Sequence, residues 1–136
     1  MSLVMLIVFE GHGAQIGHAA GFVESRAEGR ILAAEGLDVP CTAASFHSVV
    51  AATAAGNWEA GRVDFAAIDS WLDVDTPSPG QAEEKVGGSS AGSITWRIIG
   101  GGGRFAGATG LVTGNFTGEA DGRFTDHQLY KLALPA

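Results

Sequence analysis

Gly100-Gly-Gly-Gly-Arg-Phe-Ala-Gly-Ala-Thr-Gly110 is the stretch on which the fold turns. Within it, Gly101-Gly-Gly103-Arg-Phe-Ala106 fits the G-x-G-x-x-A fingerprint of a dinucleotide loop, with Glu119 and Asp121 near the position of the acidic residue. Such a loop needs a helix to open at the third small residue, so that its positive end meets the pyrophosphate. The next residues are Gly107-Ala-Thr-Gly-Leu-Val-Thr-Gly-Asn-Phe-Thr-Gly118, in which glycines and β-branched residues argue against any helix. The segment therefore reads as a corner between two strands. Gly11-His-Gly13-Ala-Gln-Ile-Gly17 fails the nucleotide spacing outright.

On either side of that corner, the chain reads as strands and turns. Leu3 to Phe9 is short, apolar and branched, and Gly11-His-Gly13 closes it. Ile16 to Ser25 mixes glycines and small residues with Ile16, Phe22 and Val23, which suits a strand with close neighbours. Ser25 to Gly36 admits two readings. Ser25-Arg-Ala-Glu28 fits a capping box, but Glu24, Arg26, Glu28 and Arg30 alternate with Val23, Ser25, Ala27, Gly29 and Ile31, and this favours a strand. Phe46 to Thr53 and Trp58 to Ile68 pair as a hairpin around Ala54-Ala-Gly-Asn57, although Val49 to Ala55 has a helical composition. Asp73 to Ser93, with two prolines, reads as a long loop and a candidate lid. Ile94 to Ile99, Leu111 to Thr117 and Phe124 to Leu134 complete about seven or eight strands, the pattern of an antiparallel barrel or sandwich.

A chain of 136 residues with 46% apolar and 17% charged residues has the composition of a single globular domain. Eight basic residues against 15 acidic ones give a net charge of −7, the wrong sign for collecting phosphates, so nucleic acid is not an expected partner. Leu3 to Phe9 is too short to span a bilayer and lacks the flanks of a signal peptide. No membrane association is expected. The single Cys41 forms no internal disulfide and suits a cytoplasmic location. Asn115-Phe-Thr117 fits the N-glycosylation pattern, which without a secretory signal carries no weight.

Metal and triad chemistry find little support. His12, His18, His47 and His127 lack the spacing of a metal site, and only Glu10 and His12 share a strand face. No Gly-x-Ser-x-Gly elbow occurs. Trp58, Trp71, Trp96, Phe65, Phe116 and Tyr130 are large enough to fill a barrel or to line a pocket in it.

Trp96-Arg-Ile-Ile-Gly-Gly-Gly-Gly-Arg-Phe-Ala-Gly-Ala-Thr-Gly110 resembles the W-x-I-x-G-G-T-G-R-F-A-G-A-T-G segment of allene oxide cyclase-like and dirigent-like barrels. Gly13-Ala-Gln-Ile-Gly17 followed by Gly21-Phe22 is similar to the first hairpin of bacterial spirotetronate cyclases of that superfamily. Residues Ala27 to Ser93 match by strand count alone. The resemblance implies an all-β fold, an eight-stranded antiparallel β-barrel, dimeric or trimeric, with an apolar cavity and no cofactor. Relatives of this kind cyclise an unstable epoxide, promote an intramolecular [4+2] cycloaddition or guide radical coupling. One departure stands out, because Gly114 occupies the position of a large aromatic in the spirotetronate cyclases.

These readings lead to an expected function, a cofactor-free cyclase or isomerase that confines an apolar, flexible small molecule, in secondary metabolism. Trp96, Val112, Gly114, Phe116 and Trp71 are the expected pocket residues. Glu10, His12, His47 and Tyr130 are the candidate catalytic groups, because each can donate or accept a proton or a hydrogen bond. The alternatives are a non-catalytic barrel that binds a hydrophobic ligand and a structural domain with a filled core.

Overall fold

The computed structural model describes residues 1–16, 21–36 and 41–135. Gly17 of the first glycine motif and His18 lie outside them. Among the described residues nine strands run in chain order: β1 (Ser2–Gln15), β2 (Phe22–Glu35), β3 (Ala43–Thr53), β4 (Gly56–Phe65), β5 (Ser70–Asp75), β6 (Gln81–Glu84), β7 (Ser90–Gly102), β8 (Thr109–Gly118) and β9 (Arg123–Ala133). All pairings are antiparallel, and β5 pairs with β7 to close the ring. The result is an eight-stranded barrel with β6 as one extra strand beside the first part of β7.

Alternation explains how each strand contributes. Leu3, Met5, Ile7 and Phe9 of β1 point inward and are buried, while Val4 and Glu10 face out. Residues 22–35 form one strand, so the in-out alternation of Glu24, Arg26, Glu28 and Arg30 prevailed over the capping box. In β9, Asp126, Gln128, Tyr130 and Leu132 all point inward.

The glycine segment forms the closing seam. Gly100, Gly101 and Gly102 pair with Asp73, Leu72 and Trp71, so the segment first completes the ring and then turns. A single 3₁₀ turn over Gly103–Phe105 drives Phe105 into the barrel, where its ring meets Phe65 edge-on at 4.9 Å. Gly103 takes a φ of 62°, in the left-handed region, and a Cβ there would strike the Asp69 carbonyl oxygen. Among the described residues no α-helix comes after the glycines, so the dinucleotide geometry is absent.

The expected loop from Asp73 to Ser93 is corrected. Its first residues end β5, its last begin β7, and Gln81–Glu84 forms β6, folded as a hairpin on Ser90–Ser93. Thr76-Pro-Ser-Pro79 breaks the wall between β5 and β6, since proline offers no N–H to a ladder. β4 bridges the break: the Thr76 N–H donates to the Glu59 carbonyl at 3.0 Å, and Asn57 and Gly80 exchange bonds of 2.8 and 2.9 Å. β5 and β6 thus act as one interrupted wall strand, and the interruption lies beside Glu59.

Candidate functional site

The barrel has two unlike ends. At the end where β1 and β5 begin, Leu3, Phe65, Leu72, Phe105, Ala108 and Leu132 are buried in a continuous core. At the opposite end a cavity of about 350 Å³ opens outward, within the size range of small-molecule sites. Val23, Phe46, Val50, Ile94, Phe116 and Phe124 give it apolar walls. Its rim carries Asn57, Ser90, Glu119 and Arg123, and its floor carries Glu59, Trp96 and Asp126.

Small residues open the space and aromatic rings shape it. Phe9 lies over Gly29, Phe46 over Gly61, Phe116 over Gly92 and Trp96 over Gly114, so that a Cβ on any of these glycines would come within 2.6 to 2.7 Å of the ring. Gly114 therefore opens no extra room, because the Trp96 ring and Asp126 Oδ1 occupy the space that its missing side chain leaves.

The floor is built from alternate residues of four strands. Glu59 of β4 accepts a hydrogen bond from the Ser48 hydroxyl of β3 at Oε2. Burial pushes the Glu59 carboxyl up to about 7, and the negative charge of Asp126 adds to the rise. The Ser48 hydrogen bond and the Trp96 indole N–H oppose it, although Trp96 Nε1 makes no hydrogen bond of good geometry. On β9, the Tyr130 hydroxyl donates to Gln128 Oε1, and Gln128 Nε2 donates to Asp126 Oδ2 at 2.9 Å. Asp126 Oδ1 is buried without a partner. Burial raises the Asp126 carboxyl, against the opposing hydrogen bond from Gln128 and the charge of His127. Burial also raises the Tyr130 phenol well above its usual value, with both carboxyls contributing, so Tyr130 is a hydrogen-bond donor rather than a base.

A carboxyl that is half protonated near neutrality can act as a general acid or a general base. Glu59 is such a group, and apolar walls beside it would hold an organic molecule against it.

Of the residues expected from sequence, Trp96 and Phe116 line the cavity. Val112, Gly114 and Tyr130 face inward but lie in the packing below the floor, where Tyr130 orients Gln128. Trp71 is corrected to the outer wall, because β5 turns Ser70, Leu72 and Val74 inward. Its ring lies over Gly102 and against the Arg62 guanidinium, 5.1 Å from the ring centre.

Glu10, His12 and His47 also belong to the outer face and do not reach the cavity. Glu10 lines a second, outer pocket, His12 Nε2 lies 2.9 Å from the Asp121 carbonyl oxygen, and His47 lies 2.8 Å from Glu24. The strand pleat sends them outward. Glu59 and Asp126 were not expected from sequence. Counting back by twos from Val63 reaches Gly61 and Glu59, and from Tyr130 reaches Gln128 and Asp126, so the inward placement of both acids was readable.

The sequence matches no family model, and neither the curated proteins nor the solved structures give a match.

Proposed function

We propose that the protein is a cofactor-free cyclase or isomerase that confines an apolar, flexible small molecule in the barrel cavity, in secondary metabolism. One arrangement carries the reading: an open, apolar-walled cavity has at its floor a carboxyl, Glu59, that burial pushes up to about 7. The walls select a compact conformer of a flexible chain, a contribution that in favourable cases reaches roughly 7–11 kcal/mol. Glu59 gives a proton to, or takes one from, the end of the molecule that reaches the floor. General acid–base catalysis of this kind contributes about 10²–10⁴-fold. Asp126 holds Glu59 protonated at higher pH than it would be alone. The resemblance of Trp96 to Gly110 to the allene oxide cyclase-like barrels supports the same class of reaction.

In this reading the protein works in the cytoplasm as a homodimer or homotrimer. Among the described residues no helix is long and apolar enough to cross a membrane. Val4, Ile99 and Leu111 stand exposed on the outer wall, with Val4 and Leu111 in one row on either side of Lys131, and they offer a surface for self-association.

Nile red tests the pocket and linear polyenes test the reaction. Dye fluorescence should rise with wild-type protein and not with Val50→Trp, which fills the cavity. Linear polyenes bearing a carbonyl or epoxide, with and without an amino group, should yield a product of unchanged mass and altered chromatographic retention, and Glu59→Gln should slow its formation about 10²–10⁴-fold. Dye binding without any conversion, unaffected by Glu59→Gln, would favour a non-catalytic carrier of hydrophobic ligands. Equal dye binding by Val50→Trp would remove the pocket from both readings.

A further inference from the structure

The floor of the cavity has negative groups without a positive one to answer them. Buried carboxyls are ordinarily paired with a cation, because an unpaired charge loses its hydration without compensation. Here Glu59 has the Ser48 hydroxyl and the Trp96 indole beside it, and Asp126 has the Gln128 amide. Asp126 is 5% exposed, and its Oδ1 has no partner. Two basic side chains bear on the site from outside the floor among the described residues. His127 acts on Asp126 from the outer face of β9, and Arg123 stands at the rim in an ion pair with Asp121 at 2.7 Å. Glu119 at the rim adds another negative charge.

The walls suit the same guest. Phe46 and Trp96 meet edge to face with centroids 5.8 Å apart, and Phe116 and Phe124 line the approach. Aromatic faces attract organic cations, most strongly where water is excluded.

We propose that the cavity selects positive charge: its ligand is a small apolar molecule carrying a protonated nitrogen, which sits at the Glu59–Asp126 floor between the aromatic rings. This rests on the reading of the cavity as a ligand pocket and names the class of molecule that it takes. A neutral counterpart leaves the carboxyls unanswered, and an anionic one adds a third negative charge.

Geraniol, geranylamine and geranic acid share one skeleton and differ in charge, so their displacement of Nile red isolates the effect. At pH 8 geranylamine should bind at least about tenfold more tightly than geraniol, with geranic acid the weakest. In wild-type protein the amine's advantage should shrink at pH 6, as Glu59 takes up its proton, whereas geraniol binding should not change in step. Glu59→Gln should bring the amine down to the alcohol. Equal binding of amine and alcohol at pH 8, or an advantage that survives in both Glu59→Gln and Asp126→Asn, would overturn the charge selection and leave the pocket standing. Failure of the dye itself to bind would overturn the pocket and the charge selection together.

Discussion

The two ends of the barrel are built by the same alternation of inward and outward residues, yet one is solid and the other is hollow. At the closed end the inward positions hold Leu3, Phe65, Leu72, Phe105 and Leu132, and the glycine seam folds Phe105 in as a plug. At the open end Gly13, Ser25, Ala52 and Gly118 leave room, and Glu59 and Asp126 replace apolar side chains at the floor. Apolar packing and buried polar groups are thus divided along the barrel axis. The closed end supplies the apolar burial that holds the fold, and this lets the open end keep desolvated carboxyls that oppose it.

Substitutions at the two ends should therefore differ in size and in sign. Phe105→Ala, which empties the plug, should cost about 3–5 kcal/mol in denaturant unfolding, and Phe65→Ala should cost a similar amount. A loss below about 1 kcal/mol at either site would mean that the closed end is not the packed one.

Glu59→Gln should act in the opposite direction. A carboxyl raised from 4.5 to about 7 in the folded state binds its proton more tightly when folded, so folding is favoured at low pH. That advantage is full below about 4.5 and is lost as pH rises to about 7. Removing the charge should stabilise the protein by about 1–3 kcal/mol at pH 8 and change little at pH 4.5. Equal effects at the two pH values would show that Glu59 titrates normally.

Gly114→Ala probes the boundary between the ends. Its methyl group would meet the Trp96 ring at 2.7 Å and Asp126 Oδ1 at 2.9 Å, so we expect a cost of about 1–3 kcal/mol and a shifted Trp96 emission. A neutral result would mean that space does lie open beside Gly114. Phe116→Ala, at a half-buried wall position, should cost least, about 1 kcal/mol, while loosening dye binding.

Much of this division was legible in the sequence. Gly107 to Gly118 excluded a helix and made Gly100 to Gly110 a corner, and the alternation through residues 23–31 outweighed the local helical signal. Asp73 to Ser93 misled because Thr76-Pro-Ser-Pro79 breaks a strand without ending the wall: β4 keeps its pairing across the gap. The site was harder to read for a physical reason. Glu10, His12 and His47 attract notice by residue type, but the pleat sends them to solvent. Glu59 and Asp126 look like ordinary surface acids until the period of two is counted from Val63 and Tyr130, which fixes them inside.

The decisive experiment is the titration of the Glu59 carboxyl itself, followed by carbon-13 NMR of selectively labelled protein and assigned with Glu59→Gln. A desolvated acid at the floor of an open cavity predicts a midpoint near 7. A midpoint near 4.5, the value of a carboxyl in water, would contradict the desolvated acid on which the proposed chemistry rests.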